Sequence, residues 1–242
     1  MANLTQLKML EELDGFLPVD KPAGIAFSSV IKSVKRKFNL VKVGHGGSLD
    51  AAASGLFMLL INDANKFVGD VMGADRAYEG VMRLGVKTNT HDIQGDTVAT
   101  CDIGSCRDGL AEKMAAALPE FKGDIFQTES RWCSVRREGS AAYEVVDSGE
   151  HKPFMTHVYK LTLGEIDGDR LKFSVSGTKG LIVRTLVNDF GDAIGCGATL
   201  ESLRRVKVGK FSVADAVPFD RLLETEIKDF ASCVIPLGVA LQ

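Results

Sequence analysis

The stretch "VKVGHGGSLDAAASG" (residues 41–55) sets three glycines and a histidine ahead of one carboxylate, Asp50, and three alanines directly after it. Taken alone, an aspartate before "AAASGLFMLL" satisfies the orphan N–H groups of a helix start, so the local reading predicts an N-cap. A carboxylate behind a glycine-rich loop can also do chemistry. The rest of the chain decides how much weight that second reading carries.

At 242 residues, 45% apolar and 25% charged, the chain has an ordinary globular composition and is long enough to bury a core. No apolar run reaches the ~18–20 residues of a membrane span, and "MANLTQLKMLEELDG" lacks the basic and apolar regions of a secretory signal. The five cysteines are scattered with no C-x-x-C pair, and the four histidines are dispersed. A disulfide framework and a zinc site are therefore not expected, and a reducing cytoplasm fits. No repeat, low-complexity tract or Pro/Ser-rich linker divides the chain, so a single domain over 1–242 is expected.

The net charge is −3, but the positive charge is clustered. No acid falls between Lys21 and Leu49, where Lys21, Lys32, Lys35, Arg36, Lys37 and Lys42 all lie. Two smaller groups follow, Arg131 with Arg136 and Arg137, and Arg204 and Arg205 with Lys207 and Lys210. One such cluster is a solvated face; three in an acidic chain point to a polyanion partner. In "SSVIKSVKRKF" (28–38), Val30, Ile31, Val34 and Phe38 fall at helical spacing, with serines available as caps. Residues 108–118 and 184–195 also read as helices, the latter ending at glycines. "HVYKLTLGEI" and "LKFSVSG" read as strands joined through "EIDGDR", and "YEGVMRLGV" (78–86) as another.

Several ordered motifs carry a resemblance to a known family. "VDKPAGIAFSSVIKSVKRKFNLVKVGHGGSLDAAASG" is followed by "ADRAYEGVMRLGVKTNTHDIQGD", "FKGDIFQTESRWCSVRREGSAAYE" and "GTKGLIVRTLVNDFGDAIGCGATLESLRRVKVGKF". In order and with compatible spacing over roughly residues 14–217, they resemble the TruB family of tRNA pseudouridine synthases. The resemblance implies a mixed α+β fold with a central, largely antiparallel mixed sheet flanked by helices around a catalytic cleft. It implies isomerisation of a uridine, position 55 in the tRNA T arm, to pseudouridine, with tRNA as the partner. No cofactor, metal or membrane is expected, and the chain is expected to act as a monomer.

The same resemblance assigns roles residue by residue. Asp50 aligns with the essential aspartate, which attacks C1′ or C6 or removes a proton from C2′. Arg184 aligns with its cationic partner, and Tyr78 with the active-site tyrosine that stacks on the uracil. His45 aligns with the histidine placed where the flipped base leaves its stack. Leu203 aligns with a substrate-contacting leucine. Lys21, with Pro22 and Gly24, aligns with the support of the catalytic loop on the substrate side. Segment 122–149 aligns with a thumb over the RNA, and its Arg131, Trp132, Arg136 and Arg137 suit phosphate contact and base stacking. Without the motifs, Arg184 reads as a surface arginine, Tyr78 and Leu203 as core, His45 as a turn residue and the thumb as a plain hairpin.

The chain also departs from the family pattern. Ile182 stands for a tyrosine two residues before the arginine, Glu129-Ser130 for Pro-Pro, Trp132-Cys133-Ser134 for Tyr-Ser-Ala, and Ala51 for a proline. No appended C-terminal RNA-binding domain is expected. A non-catalytic RNA-binding or RNA-folding protein, or a synthase with another RNA target, are the alternatives these departures raise. Asp92, with His91 and Asp96 nearby, reads as a turn carboxylate rather than a metal ligand.

Overall fold

The apolar run after Asp50 forms a strand, Ser54–Ile61, and not the helix that an N-cap aspartate would start. All but its first residue are buried, so both faces are covered and the two-residue period of a strand is hidden. Gly55 also breaks a helix: its φ is +100°, and a Cβ there would lie 2.3 Å from the Arg205 carbonyl oxygen. Asp50 therefore stands in a loop.

The structure is a computed structural model that describes residues 12–106, 108–135 and 142–240. The chain divides into two compact units, Met1–Ala74 with Arg205–Gln242, and Asp75–Arg204.

In the first unit, strand Gly15–Lys21 pairs antiparallel with Ser54–Ile61 from Gly15↔Ile61 to Lys21↔Gly55. Its other edge takes Val217–Pro218 in parallel and Ile235–Pro236 antiparallel. Val43–His45 pairs antiparallel with the end of Ser54–Ile61. Alternation along the central strand divides the core between two faces. Leu56, Met58 and Leu60 join Phe16, Val71 and Val208 in one cluster. Phe57, Leu59 and Ile61, on the other face, are equally inaccessible. Helix Phe27–Lys37 buries Val30, Val34 and the following Phe38, which stacks on Phe230 at 3.9 Å between centroids, and exposes Lys32, Lys35 and Arg36. Its serines lie in the first turn; the N-cap is Ala26, which makes no side-chain capping bond.

In the second unit, strands Phe154–Asp167 and Arg170–Gly177 form the expected hairpin, with Gly168 at φ +62° in a two-residue loop. Arg170–Gly177 pairs antiparallel with Arg76–Leu84, which sets Tyr78 opposite Val175. Gly123–Gln127 pairs antiparallel with Phe154–Asp167. Two short hairpins add Val86–Thr88 with Thr97–Thr100, and Trp132–Val135 with Glu144–Asp147. Helices Leu110–Ala117 and Val183–Ala193 contribute Leu110, Met114, Leu186, Val187 and Phe190 to the core. The latter helix ends at Ile194 with Gly195 at φ +79°, as its glycines predict. The class is thus mixed α+β with mostly antiparallel pairing.

Gly55→Ala is expected to destabilise the protein by about 2 kcal/mol or more, through a positive φ and a clash with main chain that cannot yield. Urea unfolding checks this; an unchanged midpoint would mean the Arg205 main chain moves aside freely.

Candidate functional site

Asp50 is exposed at the head of a loop whose main chain is held from beneath by two buried cations. Lys21, at the end of its strand, is wholly inaccessible. Its Nζ donates to the carbonyls of Ile25 at 2.8 Å, Pro22 at 2.9 Å and Ala51 at 3.3 Å. Arg205 is 2% exposed; its Nε donates to Leu56 O and its Nη1 to Ser48 O, both at 2.8 Å, and Nη2 approaches Gly47 O at 3.5 Å. Gly24 N donates to Ala51 O at 2.6 Å and Ala53 N to Asp50 O at 3.1 Å. Every carbonyl from Gly47 to Ala51 except that of buried Leu49 is therefore taken by one of these donors, which leaves the loop little freedom.

Electrostatics follow from this packing. Burial pulls the Lys21 ammonium down to about 8, the Asp50 carboxylate opposes that shift, and the Arg205 charge adds to it. At neutral pH the lysine remains a cation beside Asp50. His45 accepts a hydrogen bond from Gly47 N at its Nδ1 and packs between Phe27 and Phe57, with centroids 5.3 and 5.9 Å away. Among the described residues no group of three or more His, Cys, Asp or Glu side chains is placed to hold a metal ion.

The second unit carries the other candidates. Tyr78 is 8% exposed within the core of its sheet, and Leu203 packs partly buried on that core. Arg184 lies in the first turn of helix Val183–Ala193, with its side chain 11% exposed, and makes an ion pair with Glu129. Ile182 is the N-cap residue of that helix. His91, at φ +65°, is driven down to about 4 by burial and by the charges of Arg184 and Lys87, against Asp192, so it is neutral at pH 7. Asp92 organises a turn: its Oδ1 accepts from Gln94 N at 2.9 Å, Thr90 Oγ1 at 3.0 Å and Ser134 Oγ at 2.8 Å. Arg131 pairs with Asp147 at 2.6 Å, and its guanidinium lies 5.7 Å from the ring centroid of half-exposed Trp132. Arg136 and Arg137 lie outside the described residues.

Three residues escape a reading of the sequence. Arg205 looks there like one of several surface cations, although a loop as rich in glycine as 44–47 does call for outside donors. Gln127 gives no signal, and Glu129 shows only as a departure from the family pattern, because their partners lie 55 residues away.

Lys21→Met removes the three hydrogen bonds under the loop and is expected to cost about 1–3 kcal/mol, the scale of buried carbonyls left unpaired. Amide exchange should accelerate across residues 22–53. Unchanged exchange there would show that the lysine does not hold the loop.

The pattern of the TruB family pseudouridylate synthase N-terminal domain matches residues 35–183, and that of the tRNA pseudouridylate synthase B C-terminal domain matches 184–242. The protein named tRNA pseudouridine synthase B of Burkholderia pseudomallei (strain 668) is 39% identical over 213 residues, covering 87% of this chain and 69% of that protein. Its namesake in Stutzerimonas stutzeri (strain A1501) is 34% identical over 223 residues, covering 90% and 72%. Among solved structures, a chain of a Cbf5-Nop10-Gar1 complex superposes with TM-score 0.70 at 24% identity, covering 97% of this chain and 63% of that one, and shares the fold. The match in sequence spans both units and both halves of the family pattern, and this chain belongs to the TruB family of pseudouridylate synthases.

Proposed function

We propose that this chain converts a uridine of tRNA, position 55 in the T arm, to pseudouridine, with Asp50 as the essential carboxylate. The observation that carries the reading is the loop itself: an exposed carboxylate on a main chain held by buried Lys21 and Arg205. A rigid loop presents a nucleophile or base without reorganisation at the moment of reaction. The relatives' name, tRNA pseudouridine synthase B, supports tRNA as the substrate.

The chemistry asks for little else. The N1–C1′ bond breaks, the uracil turns, C5 bonds to C1′, C5 gives up its proton and N1 gains one. The atoms balance without redox or group donors, so the reaction calls for no cofactor or metal. Tyr78 stacks on the uracil and serves the proton movement at C5, and Arg184 is the cationic member of the set. His45 serves the flipped base, Leu203 and Ile182 contact it, and Lys21 supports the loop on the substrate side. The chain works as a single catalytic domain and a monomer in the cytoplasm, with segment 122–149 as an RNA-holding thumb.

Asp50→Asn keeps the shape and removes the charge; it should bind a T-arm transcript within a few-fold of wild type and lose turnover. Tritium release from 5-tritiated uridine measures this, and substantial single-turnover conversion would remove Asp50 from the chemistry.

The thumb is tested by salt. Removing Arg136 and Arg137 together should weaken tRNA binding and flatten the slope of log affinity against log salt by up to about two contacts, at roughly 0.7–0.9 each. Trp132→Ala should cost about 1–3 kcal/mol of stacking and leave that slope intact. An unchanged slope in the double arginine variant would take the thumb out of RNA binding.

A further inference from the structure

Glu129 stands where the family pattern has proline, and its carboxylate is engaged. The end of strand Gly123–Gln127 is joined to the start of helix Val183–Ala193 by two rungs. In the first, the 1% exposed Gln127 side chain closes a double hydrogen bond on Ile182: Nε2 donates to its carbonyl and Oε1 accepts from its N–H, both at 3.0 Å. Two residues further along each segment comes the second rung, in which Glu129 Oε1 accepts from Arg184 Nη2. Ser130 pins the chain beyond it, its hydroxyl donating to Asn89 O and accepting from Trp132 N. The main chain at Glu129 is thus held on both sides, which fixes where its side chain starts toward Arg184.

The physics of the helix start explains why such a carboxylate is useful. Arg184 lies in the first turn, where the macrodipole is positive and a cation is disfavoured, and that turn contains no acid of its own. The guanidinium is largely buried, at 11% side-chain exposure against 30% for Glu129, and an arginine in that setting needs a negative partner. Nearby His91 is neutral and offers no charge.

We infer that Glu129 is a positioning residue for Arg184: it sets the orientation of the guanidinium for the reaction without touching the substrate. The inference rests on the reading that Arg184 serves pseudouridine formation. The contrary idea, a gate in which Glu129 holds Arg184 until RNA displaces it, is disfavoured because removing one partner from a largely buried pair is costly. On this view Glu129-Ser130 replaces the stiffness of two prolines with fixed polar contacts.

The test is a double-mutant cycle on a T-arm transcript, using Glu129→Gln, Arg184→Lys and the two combined. Glu129→Gln should lower kcat by about ten- to a hundredfold, the scale for loss of an outer partner that orients a working side chain, with KM within about threefold. Arg184→Lys should be slower still, and the double variant no slower than Arg184→Lys alone, because Glu129 acts only through the guanidinium. Glu129→Asp, which keeps the charge, should recover part of the rate. Trp132 is the chain's one tryptophan and lies three residues from Glu129, so its unchanged fluorescence would confirm an intact local fold. Multiplying effects in the double variant, or a normal or faster Glu129→Gln beside a slow Arg184→Lys, would overturn the inference alone. A normal rate in Arg184→Lys would remove the underlying reading of Arg184, and the role of Glu129 with it.

Discussion

Two buried cations under one loop are the constraint on which the first unit depends. Placing an ammonium or a guanidinium out of water is costly unless its donors are satisfied. Lys21 and Arg205 meet that condition with main-chain carbonyls. The arrangement keeps the cations charged while leaving Asp50 exposed as the acidic group of its loop. The glycines ahead of Asp50 are closely packed by other neighbours. A Cβ at Gly46 would meet Val71 Cγ1 at 2.2 Å, and one at Gly44 would meet Asn65 Oδ1 at 2.0 Å, so a side chain at either place would force its neighbour to shift.

The departures in the second unit form a pattern of their own. Ser130, Ser134 and Glu129 each replace a residue that makes no side-chain hydrogen bond, and each makes one here, to Asn89, Asp92 and Arg184. Asp92, which the sequence places among histidine and carboxylates, proves to be the acceptor that ties the turn 90–94 to strand Trp132–Val135. A segment held by polar contacts is rigid for a different reason than one built from proline. Proline restricts the chain before it folds, whereas hydrogen bonds act only once the partners have met.

What was legible in the sequence was local. The spacing of Val30, Val34 and Phe38, the turn at Gly168 and the stop at Gly195 each depend on neighbours in the chain, and each is found where expected. The strand after Asp50 is not legible as one, because a segment buried on both faces has no alternation to display. In sequence Arg205 is indistinguishable from Lys207 and Lys210, which are exposed, because its partners at Ser48 and Leu56 lie 157 and 149 residues earlier. The ordered motifs carried the family identity, but no local pattern could show that Glu129 would meet Arg184.

The first unit is assembled from both ends of the chain, Met1–Ala74 and Arg205–Gln242, with the second unit contained between them. On the ribosome the pieces are made far apart in time. Strands Gly15–Lys21 and Ser54–Ile61 are synthesised well before Val217–Pro218 and Ile235–Pro236, which pair with the other edge of Gly15–Lys21. Until then a buried, strongly apolar pair of strands has an open side, the condition that invites aggregation or chaperone capture during synthesis. The Asp50 loop waits as well, since Arg205 emerges only after the whole of the second unit has been made. The nascent chain therefore carries Asp50 long before it carries the arginine that holds its loop in shape.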